Sequence, residues 1–150
     1  MNKLTYEDLL SIEKPSRYLG GEYNSTIKTG KTYIKNCFCF PDLYEIGMSH
    51  TGMKILYEVI NSQPQSTCER CFAPQKDFAD LLKRREIELF SLETRTPLRE
   101  FDFLHFTFQY EMSYTNFLYM LDLANIPFRA KDRNDSYPII IGGGPCAINL

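Results

Sequence analysis

The stretch KTYIKNCFCFPDLYEIGMSHTG, residues 31–52, joins an apolar run to an amphipathic segment and decides how the fold begins. Residues 31–40 are rich in β-forming side chains and end at Pro41, which predicts the first strand. Apolar residues recur at helical spacing from about Thr51 to Asn61, which predicts a helix. The loop between them, residues 40–52, is about twelve residues long, whereas compact α/β units usually spend about two to six. A loop so long and so apolar is expected to hold a ligand.

Two further strand-and-helix units follow. The stretch TCERCFAP predicts a short strand that ends at Pro74, before a helix over about residues 75–85. Residues 87–92, IELFSL, form a candidate extra strand, and residues 94–100, TRTPLRE, read as a polar connection. The near-continuous apolar run FDFLHFTF, residues 101–108, is typical of a parallel strand covered on both faces.

The last part of the chain repeats this order once more. A helix is predicted there, with Ser113 or Thr115 as its cap and Pro127 as its end. Its predicted apolar face consists of Phe117, Leu118, Leu121 and Ala124. Residues 137–141, YPIII, form the last predicted strand and run directly into residues 142–147, GGGPCA.

These repeats imply an α/β fold, Rossmann-like or flavodoxin-like, with a mostly parallel sheet, right-handed crossovers and helices on both faces. Residues 31–150 form this domain. Residues 1–30 form a lead-in, in which Thr5 and Asp8 predict a capping box for a helix over about Tyr6 to Ile12. A fourth parallel strand without a covering helix leaves apolar surface exposed. We therefore expect the fold to be truncated at its C-terminus, as part of a larger protein.

Composition excludes several classes of partner. The formal net charge of -2 gives no general attraction to nucleic acid or to anionic lipid. The first ten residues, MNKLTYEDLL, carry acids where a signal peptide needs an apolar core, and no apolar run approaches the roughly 20 residues of a membrane span. We therefore expect a cytoplasmic protein with neither a membrane nor a nucleic-acid partner. In a reducing cytosol its five cysteines are expected to be free thiols.

The loops that follow three of the strands are candidates for a binding site. In parallel α/β folds, ligands lie beyond the carboxyl ends of the strands, where the loops after Phe40, Phe108 and Ile141 meet. The triple glycine, residues 142–144, is either a turn at the end of a strand or a loop that lets the backbone approach a ligand. It is not a dinucleotide fingerprint, because it follows the last strand and not the first.

The cysteines have candidate roles that differ in chemistry. Cys68 and Cys71 have the spacing of half a zinc knuckle, but the chain offers no matching second pair, so neither metal nor redox function is expected. Cys37 and Cys39 lie two apart on a strand and are expected to share one buried face.

The histidines and loop carboxylates are the remaining candidates for chemistry. His105 lies within an aromatic strand and is expected to be a hydrogen-bonded structural residue. His50 lies in the long loop and is either a cap or a ligand-facing group. Asp42 and Glu45 are candidates for general acid or base, or for helix capping. None of these residues forms a nucleophile and base pair, so no hydrolase is indicated.

Several long segments carry a resemblance to a known family. They are EKPSRYLGGEYNS, FPDLYEIGMSHTGMKILYEVIN, CERCFAP, LFSLETRTPLREFDFLHFTFQYEMSYTNFLYMLDLANIP and IIIGGGPCAINL. From about Ile12 to its end, the chain resembles the N-terminal region of an uncharacterised family of radical SAM proteins with a cobalamin-binding-like domain. In the wider cobalamin-dependent group, such a Rossmann-like domain precedes a barrel whose Cys-x3-Cys-x2-Cys motif holds a [4Fe-4S] cluster. S-adenosyl-L-methionine on that cluster is cleaved to a 5'-deoxyadenosyl radical.

The resemblance implies a role for this chain within a larger enzyme. The cluster motif is absent from the sequence, so the chain alone is expected to be inactive. It would position a corrin or a substrate at the radical centre, with the barrel of the same polypeptide as its partner and an unknown substrate. The alternative is a cofactor-free docking module. The resemblance places the corrin against Pro41, Asp42, Tyr44, Glu45, Gly47, Met48, Ser49, His50, Gly52, Tyr110, Ser113, Thr115, Gly142, Gly143, Gly144 and Pro145.

Overall fold

The computed structural model describes residues 4–29 and 34–148 of the chain. Its centre is a four-stranded sheet whose strands are β1 (Ile34–Phe40), β2 (Ser66–Phe72), β3 (Phe103–Thr107) and β4 (Ile139–Gly143). All neighbouring strands are parallel, and their order is β2-β1-β3-β4. The predicted α/β fold with a parallel, flavodoxin-like sheet is therefore confirmed. Predicted strand residues 31–33 lie outside the described part of the chain.

Five α-helices flank the sheet. They are α1 (Tyr6–Leu10), α2 (Tyr44–Ser49), α3 (Thr51–Ser62), α4 (Lys76–Arg84) and α5 (Ser113–Leu123). Short 3-10 turns cover Pro15–Tyr18, Leu98–Glu100, Ala130–Asp132 and Pro145–Ile148. The helices predicted over about 51–61 and 75–85 are confirmed within a residue or so.

The sheet buries a different core on each face. The α5 face is packed under α4 and α5, and its strand residues are Cys37, Cys39, Cys71, Leu104 and Phe106. The α3 face is packed under α3, and its strand residues are Phe38, Phe40, Cys68 and Phe72. The shared burial of Cys37 and Cys39 on one face is as predicted. Cys68 and Cys71 lie on opposite faces of β2, and burial raises the pKa of Cys68 to about 12.

Arg70, which forms a buried ion pair with Glu93, also attaches the lead-in to the sheet. The Nε atom of Arg70 on β2 lies 2.6 Å from a carboxylate oxygen of Glu93, and both side chains are almost completely excluded from solvent. The Arg70 guanidinium also donates to Asn24 Oδ1 at 3.2 Å and to Ser25 Oγ at 3.0 Å. It lies over the ring of Tyr57, 4.5 Å from the centroid. One side chain thus joins β2, α3 and the lead-in.

The predicted capping box at the start of α1 is confirmed. The Thr5 side chain accepts from the backbone N–H of Asp8, and the Asp8 carboxylate accepts from the backbone N–H of Thr5. The backbone hydrogen bond from Thr5, and then the hydrogen bond from Arg85, lower the pKa of Asp8 to about 2. The helix ends at Leu10, two residues earlier than predicted.

Part of the α3 face is uncovered. Ile139 and Ile141 on β4 are 60% and 43% exposed, and Phe103 and His105 on β3 are only partly covered. The prediction that the strand in residues 101–108 is covered on both faces is therefore wrong on the α3 side. The exposed apolar surface that the sequence predicts beside the fourth strand is present on Ile139 and Ile141.

Residues 40–52 are not an irregular loop, because they contain α2. Gly47 concealed this helix in the sequence, since glycine is a poor helix former. A Cβ atom at Gly47 would lie 2.3 Å from the Phe72 ring and 3.1 Å from the Phe40 ring, so only glycine lets α2 approach the sheet this closely.

Two other local predictions are wrong. Residues 87–92 form no strand, and only Phe90 makes an isolated bridge, with Pro97. Residues 94–100 do form a connection, and the side chain of Leu98 within it is fully buried. Helix α5 begins without a side-chain cap, and it ends at Leu123, well before Pro127; the nearby Asn125 adopts a left-handed φ of 54°.

Candidate functional site

Three loops meet at the carboxyl ends of the strands. We call residues 41–50, 108–116 and 142–147 the rim. Strand β2 lies on one side of β1, and β3 lies on the other side, so the switch point of the sheet is between β1 and β3. The first two loops of the rim follow these two strands and flank that point. This is the position at which doubly wound folds bind their ligands.

Hydrogen bonds between distant residues hold the rim together. Asn116 on α5 donates from Nδ2 to the carbonyl oxygen of Pro41 at 2.9 Å. The hydroxyl of Tyr114 donates to the carbonyl oxygen of Cys146 at 2.6 Å. Sequence reasoning missed both side chains, although polar residues in the first turns of a helix beside a candidate loop are a usable signal. They fix the first and third loops to α5, so the geometry of the rim is set within the chain.

The polar side chains of the first loop have partners within the chain. Asp42 accepts a hydrogen bond from the backbone N–H of Leu43, but α2 begins without a side-chain cap, so the capping interpretation of Asp42 is wrong. Glu45 forms an ion pair with Arg17 at 2.8 Å, and this contact lowers the pKa of Glu45. Ser49 donates to the carbonyl oxygen of Glu45 one turn earlier. Glu45 and Ser49 remain exposed, so their outer surfaces are available to a neighbour.

Tyr44 and Met48 of this loop pack inward, whereas Ile46 is 48% exposed. Tyr44 meets Phe72 edge to face, with ring centroids 5.4 Å apart. Burial and then a hydrogen bond to Glu22 raise the pKa of Tyr44 to about 12, so its phenol is not a base near neutral pH. The sulfur of Met48 lies 3.6 Å from an Nη1 donor of Arg70. These two predicted site residues anchor α2 to the core.

His50 caps α3. Its Nδ1 accepts a hydrogen bond from the backbone N–H of Met53 at 3.1 Å, and its ring packs against Phe40 with centroids 5.2 Å apart. In the neutral ring the proton is then on Nε2, which leaves no lone pair there for a metal. A Cβ atom at Gly52 would lie 3.0 Å from the His50 ring, so glycine at this position gives the imidazole room.

The triple glycine is used mainly for packing within the chain. A Cβ atom at Gly142 would lie 2.9 Å from the Phe108 ring. Gly144 has a φ of 98°, and a Cβ atom there would lie 2.8 Å from the carbonyl oxygen of Phe108. Both positions therefore require glycine without any ligand. Of the three, only Gly143 has no atom within 4 Å of the position that a Cβ atom would occupy.

The remaining predicted site residues lie at the start of α5 and after β4. Tyr110 is half-buried, and its carbonyl oxygen accepts from the backbone N–H of Ser113, which is itself buried. Thr115 is exposed and donates from Oγ1 to the carbonyl oxygen of Met112. Pro145 is exposed and begins the last 3-10 turn. Tyr110, Ser113, Thr115 and Pro145 therefore all lie on the rim.

His50 does not fit cobalt ligation in this conformation. It is the histidine of the rim, and its Nδ1 accepts a hydrogen bond from the backbone N–H of Met53, so the tautomer with the proton on Nε2 is the one that fits this contact. Within residues 4–29 and 34–148, no group of three or more His, Cys, Asp and Glu side chains is arranged to hold a metal ion. His105 lies within the sheet, where its Nε2 and Asn36 Oδ1 are 2.8 Å apart, in agreement with its predicted structural role. No helix in the described residues is long and apolar enough to span a bilayer.

Comparison with known proteins identifies the family. The family model described as "Radical SAM proteins, N-terminal" matches residues 52–150, about two thirds of the chain. The matched region includes α3, all of the sheet except β1, and the second and third loops of the rim. No curated protein matches the chain. No solved structure matches it either. The chain therefore belongs to the family formed by the N-terminal region of radical SAM proteins.

Proposed function

We propose that this chain is the positioning module of a radical SAM protein and that its rim faces the radical centre. Membership of the family implies a [4Fe-4S] cluster and S-adenosyl-L-methionine in the full-length protein. Those groups would supply the radical chemistry when bound. The residues of this chain would supply a fixed surface beside them, against which a substrate is held.

The hydrogen bonds across the rim are the observation that carries this proposal. Reactive groups must be held within about half an ångström of a productive geometry, which rigid support achieves better than mobile loops do. Here Asn116 and Tyr114, both on α5, hold the first and third loops through backbone carbonyls. A surface supported in this way is suited to positioning a substrate. The rim carries no pair of nucleophile and base that would indicate catalysis by this chain.

Two forms of the proposal differ in cofactor. The cofactor-free form, in which the rim docks on the radical SAM barrel and holds the substrate, is favoured by His50, Gly142 and Gly144, which already serve the chain's own packing. The corrin form is supported by the convergence of the three loops and by the open space at Gly143. In that form the corrin would be held without a bond from His50 to cobalt.

Retention of hydroxocobalamin distinguishes the two forms. The chain is mixed with hydroxocobalamin, separated by gel filtration and examined by visible spectroscopy. The cofactor-free form predicts no corrin band with the protein. His50→Asn is the matched control, because asparagine can still cap α3 but has no imidazole. A retained band with the same spectrum in His50→Asn supports the corrin form, whereas a band that shifts in His50→Asn contradicts the assignment of His50 as a cap.

A further inference from the structure

An uncovered apolar surface lies beside α3. We call it the open face and define it by Phe103, His105, Ile139 and Ile141 on the sheet, with Leu56 on α3. The strand register pairs Phe103 with Ile139 and His105 with Ile141, so these four side chains share the face on which α3 packs. Ile139 is 60% exposed and Leu56 is 49% exposed.

The flank of α3 next to this surface is apolar as well. Tyr57 and Asn61 point toward β2, because Tyr57 lies under Arg70 and Asn61 hydrogen-bonds the backbone of Cys68. By helical period, Leu56 lies on the opposite flank, which is directed toward β3 and β4. The open face therefore has a floor made by two strands and one wall made by a helix.

Its width matches one helix. Strands lie about 4.8 Å apart and packed helices about 8–10 Å apart, so one helix covers about two strands. On the α5 face, two helices cover four strands. On the α3 face, α3 is buried against β1 and β2, and the two strands beyond have no covering helix within the described residues.

The chemistry of the surface selects an apolar occupant. No carboxylate or cationic side chain is among the five that define it. His105 is hydrogen-bonded to Asn36 at 2.8 Å, and its ring stacks between Phe38 and Phe103 with centroids 6.3 and 6.2 Å away. A strongly charged partner, such as nucleic acid, would gain no ion pair there, whereas the apolar side of an amphipathic helix would bury these side chains.

We infer that the open face binds one amphipathic helix from the remainder of the same radical SAM polypeptide. The matched family is the N-terminal region of larger proteins, so such a segment is covalently tethered to this chain. Tethering gives the helix an effective concentration of about millimolar, which a free partner would rarely reach. This contact would fix the orientation of the sheet, and with it the rim, relative to the rest of the protein.

Thiol labelling in the full radical SAM polypeptide tests this inference. Ile139→Cys and Ile141→Cys place probes on the open face. Ile55→Cys is the matched control, because Ile55 is 57% exposed against 60% for Ile139 and lies on the outer side of α3. All three are made with Cys146→Ser, since the other four cysteines of this chain are buried. The Cys146→Ser polypeptide without an introduced cysteine is labelled in parallel, and its labelling is subtracted, because the full polypeptide contains the cysteines of the cluster motif. Rates are measured with a maleimide-polyethylene glycol reagent over a tenfold dilution series.

The expected result is labelling at 139 and 141 at least about tenfold slower than at 55, unchanged by dilution. Equal rates at the three positions would overturn the inference. Protection that disappears on dilution would also overturn it, because a second copy of the chain would then be the occupant. A variant that fails to fold would label at its buried native cysteines too, so unfolding is detected by the stoichiometry of labelling.

Discussion

Replacement of Arg70 by methionine would test how strongly the buried ion pair between Arg70 and Glu93 stabilises the fold. Arg70→Met keeps most of the side-chain volume but removes the charge that faces Glu93. The Glu93 carboxylate would then remain buried, and residue 70 would offer it only a backbone N–H, which lies 2.7 Å away. Breaking one side of a buried ion pair costs about 3–5 kcal/mol, a large share of the roughly 5–15 kcal/mol that stabilises a typical domain.

The assay is urea unfolding followed by circular dichroism, with the slope of the transition checked for constancy. Lys83→Met is the control, because Lys83 pairs with Asp122 at 3.0 Å and both side chains are more than half exposed, and an exposed pair contributes about 0–1 kcal/mol. We expect Arg70→Met to lower the free energy of unfolding by several times the effect of Lys83→Met. The double variant Arg70→Met, Glu93→Met removes both charges and should regain part of the loss. Equal losses in Arg70→Met and Lys83→Met would show that burial of the Arg70 pair adds nothing to its contribution.

Three further perturbations test the histidines and the rim. Burial lowers the pKa of His105 below 6.5, so the unfolded state binds more protons than the folded state. The free energy of unfolding should therefore fall as the pH drops from 6.5 through the folded-state pKa. In urea titrations at several pH values, His105→Gln should remove this slope. His50→Ala should cost about 1 kcal/mol by loss of the α3 cap, whereas His50→Asn should cost only part of that, and equal losses would argue against capping. Tyr114→Phe should cost about 0.5–1.5 kcal/mol and speed hydrogen exchange of residues 144–147; Tyr119→Phe on the same helix should leave that exchange unchanged.

The order of strands and helices was predictable because it rests on local patterns. The apolar run before Pro41, the helical spacing after Thr51 and the run at 101–108 each report their own element. Convergence of the three loops followed from the parallel order, because the carboxyl ends of parallel strands share one edge.

What could not be predicted depends on contacts between distant residues. Helix α2 depends on Gly47, which is required by the rings of Phe72 and Phe40 and reads locally as a turn signal. The bonds from Asn116 to Pro41 and from Tyr114 to Cys146 join positions far apart in sequence and leave no local pattern. The same applies to Gly142 at the end of β4 and to Gly144 after it, because the need for glycine at both positions comes from contacts with Phe108.

The distance from each end of the sheet to the [4Fe-4S] cluster is the most direct test of whether the rim faces the radical centre. Nitroxide labels are attached at Ser49→Cys, on the rim, and at Asp135→Cys, beyond the amino ends of the strands, in the full-length radical SAM protein. Both positions are exposed, and β4 alone spans about 17 Å between the two edges. Pulsed electron paramagnetic resonance then measures the distance from each label to the reduced [4Fe-4S] cluster. If the rim faces the radical centre, the label at residue 49 is closer to the cluster than the label at residue 135 by about 15 Å or more. Equal distances, or a shorter distance from 135, would contradict it.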